Sequence, residues 1–107
     1  MNVNVQVLPR GPLADDEALL AANRTQIEAM AGLELDAIEL GPCGKQQVVF
    51  AEYHGRIGAM QPMHFLAILY LRGDEQVVIT ATTIEKRWKG DEAMLRKLLL
   101  GVTITPP

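Results

Sequence analysis

The sequence predicts one α+β domain, an antiparallel β-sheet flanked by two helices in an α-β-α sandwich. Residues 46–84 hold three long apolar-rich segments with strand-like alternation, joined by short turns. Two segments with helical spacing lie on either side of them, at residues 15–31 and from about Gly90. A hydrophobic fraction of 49% with 21% charged residues is typical of a globular chain. We therefore expect residues 1–107 to form a single domain in the order β-α-β-β-β-β-α-β.

The first part of the chain predicts a strand, a helix and a second strand. Residues 3–7 alternate valine with Asn or Gln, as in a half-buried strand. Asp15 or Asp16 can cap the helix at 15–31, and Gly32 suits its end. Residues 33–40 alternate and then change phase at Ile38, which predicts a β-bulge.

The remaining elements follow from turn residues and periodicity. The Gly- and Pro-containing run at 41–44 is predicted to end the second strand. Gly73-Asp74 suits a tight hairpin turn, and Gly101 suits the end of the last helix. The predicted strands of this region are residues 46–57, 63–72, 76–84 and 102–105.

Antiparallel pairing of strands 46–57 and 63–72 makes both faces of the sheet apolar. Such a sheet needs cover on both faces. Two helices on opposite sides would supply that cover. The alternative is one covered face and a second face buried in a dimer.

Glu52, His54 and His64 are the candidate chemical group. If the chain turns near Ala59, His54 and His64 lie opposite each other, with Glu52 on the same face. Two imidazoles and a carboxylate could hold a divalent metal or act as an acid–base pair. Alternatively, both histidines meet solvent at a hairpin end, and a one-residue slip would separate them. The sequence assigns no catalytic residue, metal or cofactor. Glu52, His54 and His64 are the candidates if the protein does have a metal or acid–base site.

Cys43 and residues 85–89 are two further candidates for chemistry. Cys43 has no adjacent base and no helix start beside it, so a passive thiol is expected. Residues 85–89 form the basic and aromatic cluster EKRWK, which could grip phosphate but is more simply a solvated connection leading into the second helix. The partner-binding candidates are Trp88, Arg87, Lys86 and Tyr70.

Composition narrows the function classes. A net charge of −3 argues against nucleic-acid binding, which relies on clustered Lys and Arg. The longest apolar stretch, residues 65–71, is far shorter than the roughly 20 residues that span a bilayer. The start of the sequence has no basic segment, apolar core or cleavage box, so a cytoplasmic location is expected. An exported lipoprotein is the alternative if the sequence lacks its signal segment.

The residue patterns and the order of several segments resemble those of the PsbP-like superfamily. The segments are residues 3–7 (VNVQV), the predicted helix at 15–31 with its acidic first residues, 48–53 (VVFAEY), 76–82 (QVVITAT) and 102–106 (VTITP). That superfamily includes the LpqN/LpqT lipoproteins, DcrB-type proteins and Eag chaperones, and the ending is most similar to the LpqN group. The resemblance implies an α-β-α sandwich used as a binding or assembly module, without a catalytic motif.

The favoured functional hypothesis is a non-catalytic binding or accessory domain that recognises a protein or hydrophobic segment through a sheet face or edge. PsbP-like domains often begin with an additional strand that this sequence does not contain, so an exposed edge and a homodimer are expected. The alternative is a small metal-dependent or acid–base enzyme centred on Glu52, His54 and His64.

Overall fold

The computed structural model describes residues 2–101, which form one five-stranded antiparallel sheet and two helices. The strands are β1 (Asn2–Pro9), β2 (Leu33–Cys43), β3 (Gln46–Gly55), β4 (Met63–Arg72) and β5 (Glu75–Ile84), in the spatial order β1-β5-β4-β3-β2. Helix α1 (Asp16–Ala29) connects β1 to β2, and a 3₁₀ turn (Glu85–Arg87) leads from β5 into α2 (Trp88–Leu100). The predicted sandwich is confirmed, while the predicted strand at 102–105 lies outside the described residues.

Strand β4 lies at the centre of the sheet and is buried on both faces. Leu66, Ile68 and Tyr70 belong to the core beneath α2. Ala67 and Leu69 belong to a second core beneath α1. Because neighbouring residues of a strand point to opposite faces, one strand supplies both cores. The sequence prediction that both faces need a covering helix is therefore confirmed.

Each helix is held at its start by an aspartate and along its length by buried leucine or isoleucine. The Asp15 side chain accepts a hydrogen bond from the Ala18 amide at 2.9 Å, which caps α1 as predicted. The Thr83 hydroxyl donates to Asp91 Oδ2 at 2.7 Å, which ties the first turn of α2 to β5. The buried helix residues are Leu19 and Ile27 of α1 and Leu95 and Leu99 of α2.

The second strand runs three residues further than predicted, past Leu40 and through Pro42. Strand β2 continues to Cys43, which pairs with Gln46 across a two-residue loop. Pro42 is tolerated in the ladder because β2 is an edge strand, where a missing N–H leaves no partner strand unsatisfied. A proline in the sequence therefore does not always mark the end of a strand, because an edge strand can contain one.

Two element boundaries also differ from the predictions. Strand β3 ends at Gly55, two residues earlier than predicted, because the backbone there has φ +145° and leaves the ladder. The Arg56 amide then donates to the Gly32 carbonyl at 3.0 Å. Helix α2 begins at Trp88 rather than near Gly90, as a continuation of the 3₁₀ turn.

Replacing Leu95 by alanine tests how α2 is held on the sheet. Leu95 is 0% exposed, so Leu95→Ala should lower the free energy of unfolding in urea by about 2–5 kcal/mol. Leu98 is 48% exposed on the same helix, and Leu98→Ala is the matched control with an expected change within about 0.5 kcal/mol. Equal losses in the two variants would contradict this packing of α2.

Candidate functional site

His54 and His64 form a directly opposed pair at one end of the β3–β4 ladder. The register pairs His54 with His64, as the sequence hypothesis required. Their rings are nearly parallel, with an interplanar angle of 5° and centroids 5.8 Å apart. Glu52 lies two residues from His54 and therefore on the same, α2-side face. The structure thus brings together the three candidate residues.

A β-bulge adds Asp36 to this group. The register between β2 and β3 shifts between Leu35, which pairs with Tyr53, and Ala37, which pairs with Glu52. Asp36 is the extra residue, and its Oδ2 lies 2.8 Å from His54 Nδ1. Bulges commonly re-aim a side chain beside a functional site. Here the bulge delivers a carboxylate to the histidine pair.

His64 is held on both ring nitrogens. Its Nδ1 lies 2.7 Å from Glu85 Oε2, and its Nε2 lies 2.9 Å from Glu52 Oε2. Trp88 stacks on the imidazole with ring centroids 3.7 Å apart and an interplanar angle of 16°. Only 4% of His64 is exposed, so its position and orientation are determined by these neighbours.

Helix α2 contributes a cation to the same region. Arg96 donates through Nη2 to Glu52 Oε1 and through Nε to Glu92 Oε2, both at 2.8 Å. Its guanidinium carbon also lies 5.7 Å from the centre of the Trp88 ring. Glu52 therefore bridges an imidazole and a guanidinium, which links α2 to strands β3 and β4. We call Asp36, Glu52, His54, His64 and Glu85 the histidine–carboxylate cluster.

The carboxylates favour the protonated form of His54. The pKa of His54 is raised above the ordinary imidazole value of 6.5, chiefly because the protonated ring donates a hydrogen bond to Asp36. Partial desolvation opposes this shift, while the negative charges of Asp36, Glu85 and Glu34 support it. Glu34 Oε2 lies 3.4 Å from His54 Nε2. The carboxylates around His54 thus favour a positive charge on its imidazole.

A cavity of about 230 Å³ adjoins the cluster on the α2 side of the sheet. Glu52 and Arg96 line it together with apolar side chains that include Phe50, Leu66 and Leu99. The cluster is therefore next to a partly apolar recess between α2 and strands β2 and β3.

The partner-binding candidates are placed differently from one another. Lys86 and Arg87 are exposed on the 3₁₀ turn, and Trp88 is half-buried against His64 and the α2-side core. Tyr70 is only 4% exposed beneath α2, so its assignment to a partner surface is corrected. Its apolar ring belongs to a strand that is buried on both faces. Cys43 is a buried free thiol in the same core.

Sequence reasoning missed Asp36, Glu85 and Arg96. Asp36 could have been found, because the change of phase after it predicts the bulge that turns it towards the histidines. Glu85 and Arg96 carry no comparable signal. Their approach depends on how the chain leaves β5 and on the rotation of α2.

Asp36→Asn should lower the pKa of His54 towards 6.5, because it replaces the charged acceptor of the protonated ring's hydrogen bond with a neutral amide oxygen. The His54 Hε1 resonance followed by NMR against pH measures this change. Because the pKa of His54 is raised in the folded state, its contacts add to the free energy of unfolding. This contribution is fully present below pH 6.5 and is lost as the pH rises through the folded-state pKa. The stability gap between the native protein and Asp36→Asn should therefore narrow over that window.

Glu39→Gln is the control for this titration, since Glu39 is an exposed carboxylate on β2 outside the cluster. It should leave the His54 titration unchanged. A native His54 that titrates at or below 6.5, or an Asp36→Asn variant with the native titration, would contradict the contact.

Comparison with known proteins identifies the fold and no family. No family model matches this sequence, and no curated protein matches it. The crystal structure of the protein of unknown function PA94 from Pseudomonas aeruginosa is similar, with a TM-score of 0.70 and 15% sequence identity. The match covers 99% of this chain and 85% of that one. At this identity the similarity supports the α+β sandwich alone.

Proposed function

We propose that this protein is a non-catalytic binding domain that recognises a hydrophobic segment of a partner protein along β1 and the adjoining flank of α2. The observation that carries the proposal is the exposure of β1. All eight of its residues are exposed, and among residues 2–101 the strand forms one edge of the sheet.

The composition of β1 suits pairing with another chain. Residues 2–9 contain no charged side chain, and their register with β5 runs without a shift. Natural edge strands commonly carry charges, prolines or bulges that discourage pairing. In β1 the proline is the last residue, so the rest of the edge is available for strand addition.

The valines of β1 give this edge an apolar side. Val3, Val5 and Val7 pair with Ala81, Ile79 and Val77, which belong to the α2-side core. The valines therefore lie on the same face as α2. Val5 is 59% exposed, and the other two are also exposed.

Helix α2 extends the apolar surface. Met94 and Leu98 are exposed, and helical spacing places them on the flank of α2 opposite Arg96. Arg96 reaches towards Glu52 on β3, so the opposite flank faces the β5–β1 side of the sheet. Together these side chains form an apolar surface that suits alternate apolar residues of an added strand.

The same edge supports an assembly proposal, in which two copies pair through β1 as a homodimer. Light scattering on purified protein distinguishes this arrangement from a monomer that keeps β1 available for a partner.

No helix within residues 2–101 is long and apolar enough to cross a membrane. The PsbP-like resemblance supports the binding role, and the enzyme alternative centred on Glu52, His54 and His64 stays a prediction.

Val5→Asn should weaken binding of a neutral labelled peptide that alternates valine and threonine, measured by fluorescence anisotropy. Losing the burial of one valine, about 1.5 kcal/mol, corresponds to about a tenfold lower affinity. Gln6→Asn is the matched control, because Gln6 lies on β1 with its side chain on the opposite face.

The control variant should bind as the native protein does, and circular dichroism should show both variants folded. A native protein that does not bind the peptide, or equal losses in the two variants, would contradict recognition through the valine side of β1.

A further inference from the structure

We propose that the histidine–carboxylate cluster binds a divalent transition-metal ion of the zinc class, with Asp36, His54 and His64 as its protein ligands. This site is separate from the β1 surface and does not depend on the binding function proposed above. The inference rests on the distances between ligand atoms, on the support of His64 and on the local charge.

The ligand atoms have suitable spacing. One ligand atom from each of the three residues lies within 4.8 Å of the other two. Asp36 Oδ2 is 2.8 Å from His54 Nδ1 and 4.0 Å from His64 Nε2. Metal–ligand bonds of about 2.1 Å in a tetrahedral site place neighbouring ligand atoms about 3.4 Å apart. The observed spacings bracket this value, so small side-chain rotations suffice.

A fourth ligand is available beside these three, the carboxylate of Glu52. Glu52 Oε2 lies 2.9 Å from His64 Nε2, the nitrogen that would face the ion. Arg96 already binds the other oxygen of Glu52, which orients the carboxylate without occupying both oxygens. Glu52 or a water molecule can complete a four-coordinate site.

His64 has the support that metal-binding histidines require. Its Nδ1 faces Glu85 at 2.7 Å, so the ring can donate there and present the lone pair of Nε2 to the ion. A carboxylate on the second ring nitrogen is the common outer contact of such histidines, because it selects the tautomer and orients the ring. The stacked Trp88 ring further restricts rotation of His64.

Charge and access also favour a cation. Four carboxylates contact the two imidazoles, those of Glu34, Asp36, Glu52 and Glu85. The guanidinium of Arg96 contacts one of these carboxylates, that of Glu52. The side chains of His54 and Asp36 are each 31% exposed, so an ion can reach them from solvent. Imidazole with carboxylate is a donor set that suits zinc, nickel and copper better than magnesium or calcium.

Isothermal titration of the chelator-treated protein with Zn²⁺ tests the site, with the two histidine Hε1 resonances followed in parallel by NMR. We expect one ion per chain and shifts of both resonances. Asp36→Asn and His54→Ala should each lower the affinity by about tenfold or more, and Glu85→Gln by about tenfold through loss of the carboxylate charge behind His64. Asp36 and His54 are accessible, so circular dichroism should show that these variants remain folded.

Two control variants identify the ligands. Glu39→Gln removes an exposed carboxylate from the same strand as Asp36, and Cys43→Ser removes the chain's one thiol. Both should bind Zn²⁺ as the native protein does. The proposal is overturned if the native protein does not bind Zn²⁺ stoichiometrically at micromolar concentrations. It is also overturned if Cys43→Ser abolishes binding, or if Asp36→Asn and His54→Ala bind with native affinity.

Discussion

The burial of β4 on both faces is the constraint on which the rest of this structure depends. A strand with Leu66 and Ile68 on one side and Ala67 and Leu69 on the other cannot leave either side to water without exposing a large apolar surface. The two helices meet this requirement from opposite directions. Their positions in turn decide which parts of the sheet remain accessible.

The accessible parts differ between the two flanks of α2. On one flank, Arg96 reaches Glu52 and bounds the cavity beside the histidine–carboxylate cluster. On the other flank, Met94 and Leu98 are exposed on the side of α2 opposite Arg96. A single helix thus separates a polar, negatively charged region from an apolar edge. These two regions are separate surfaces, so each can bind its ligand without the other.

The polar region exists because several backbone features coincide at one end of the sheet. The bulge in β2 presents Asp36, and the ladder register presents the histidine pair. The 3₁₀ turn presents Glu85, and the start of α2 presents Trp88. A buried imidazole between carboxylates is stabilised only when its partners are all in place. The hydrogen bonds of His64 to Glu85 and Glu52 therefore couple the chain after β5 to the middle strands.

The sequence by itself determined the identity of most elements, the need for cover on both faces and the bulge in β2, because these features follow from local periodicity. It left open whether His54 and His64 face each other, and the register of β3 and β4 decided that they do. Only the tertiary structure decided that β1 pairs with β5, that Pro42 lies within an edge strand, and that Tyr70 is buried. It also decided that Glu85 and Arg96 reach the cluster, because strand order, helix rotation and side-chain reach depend on contacts between distant segments and leave no periodic signal.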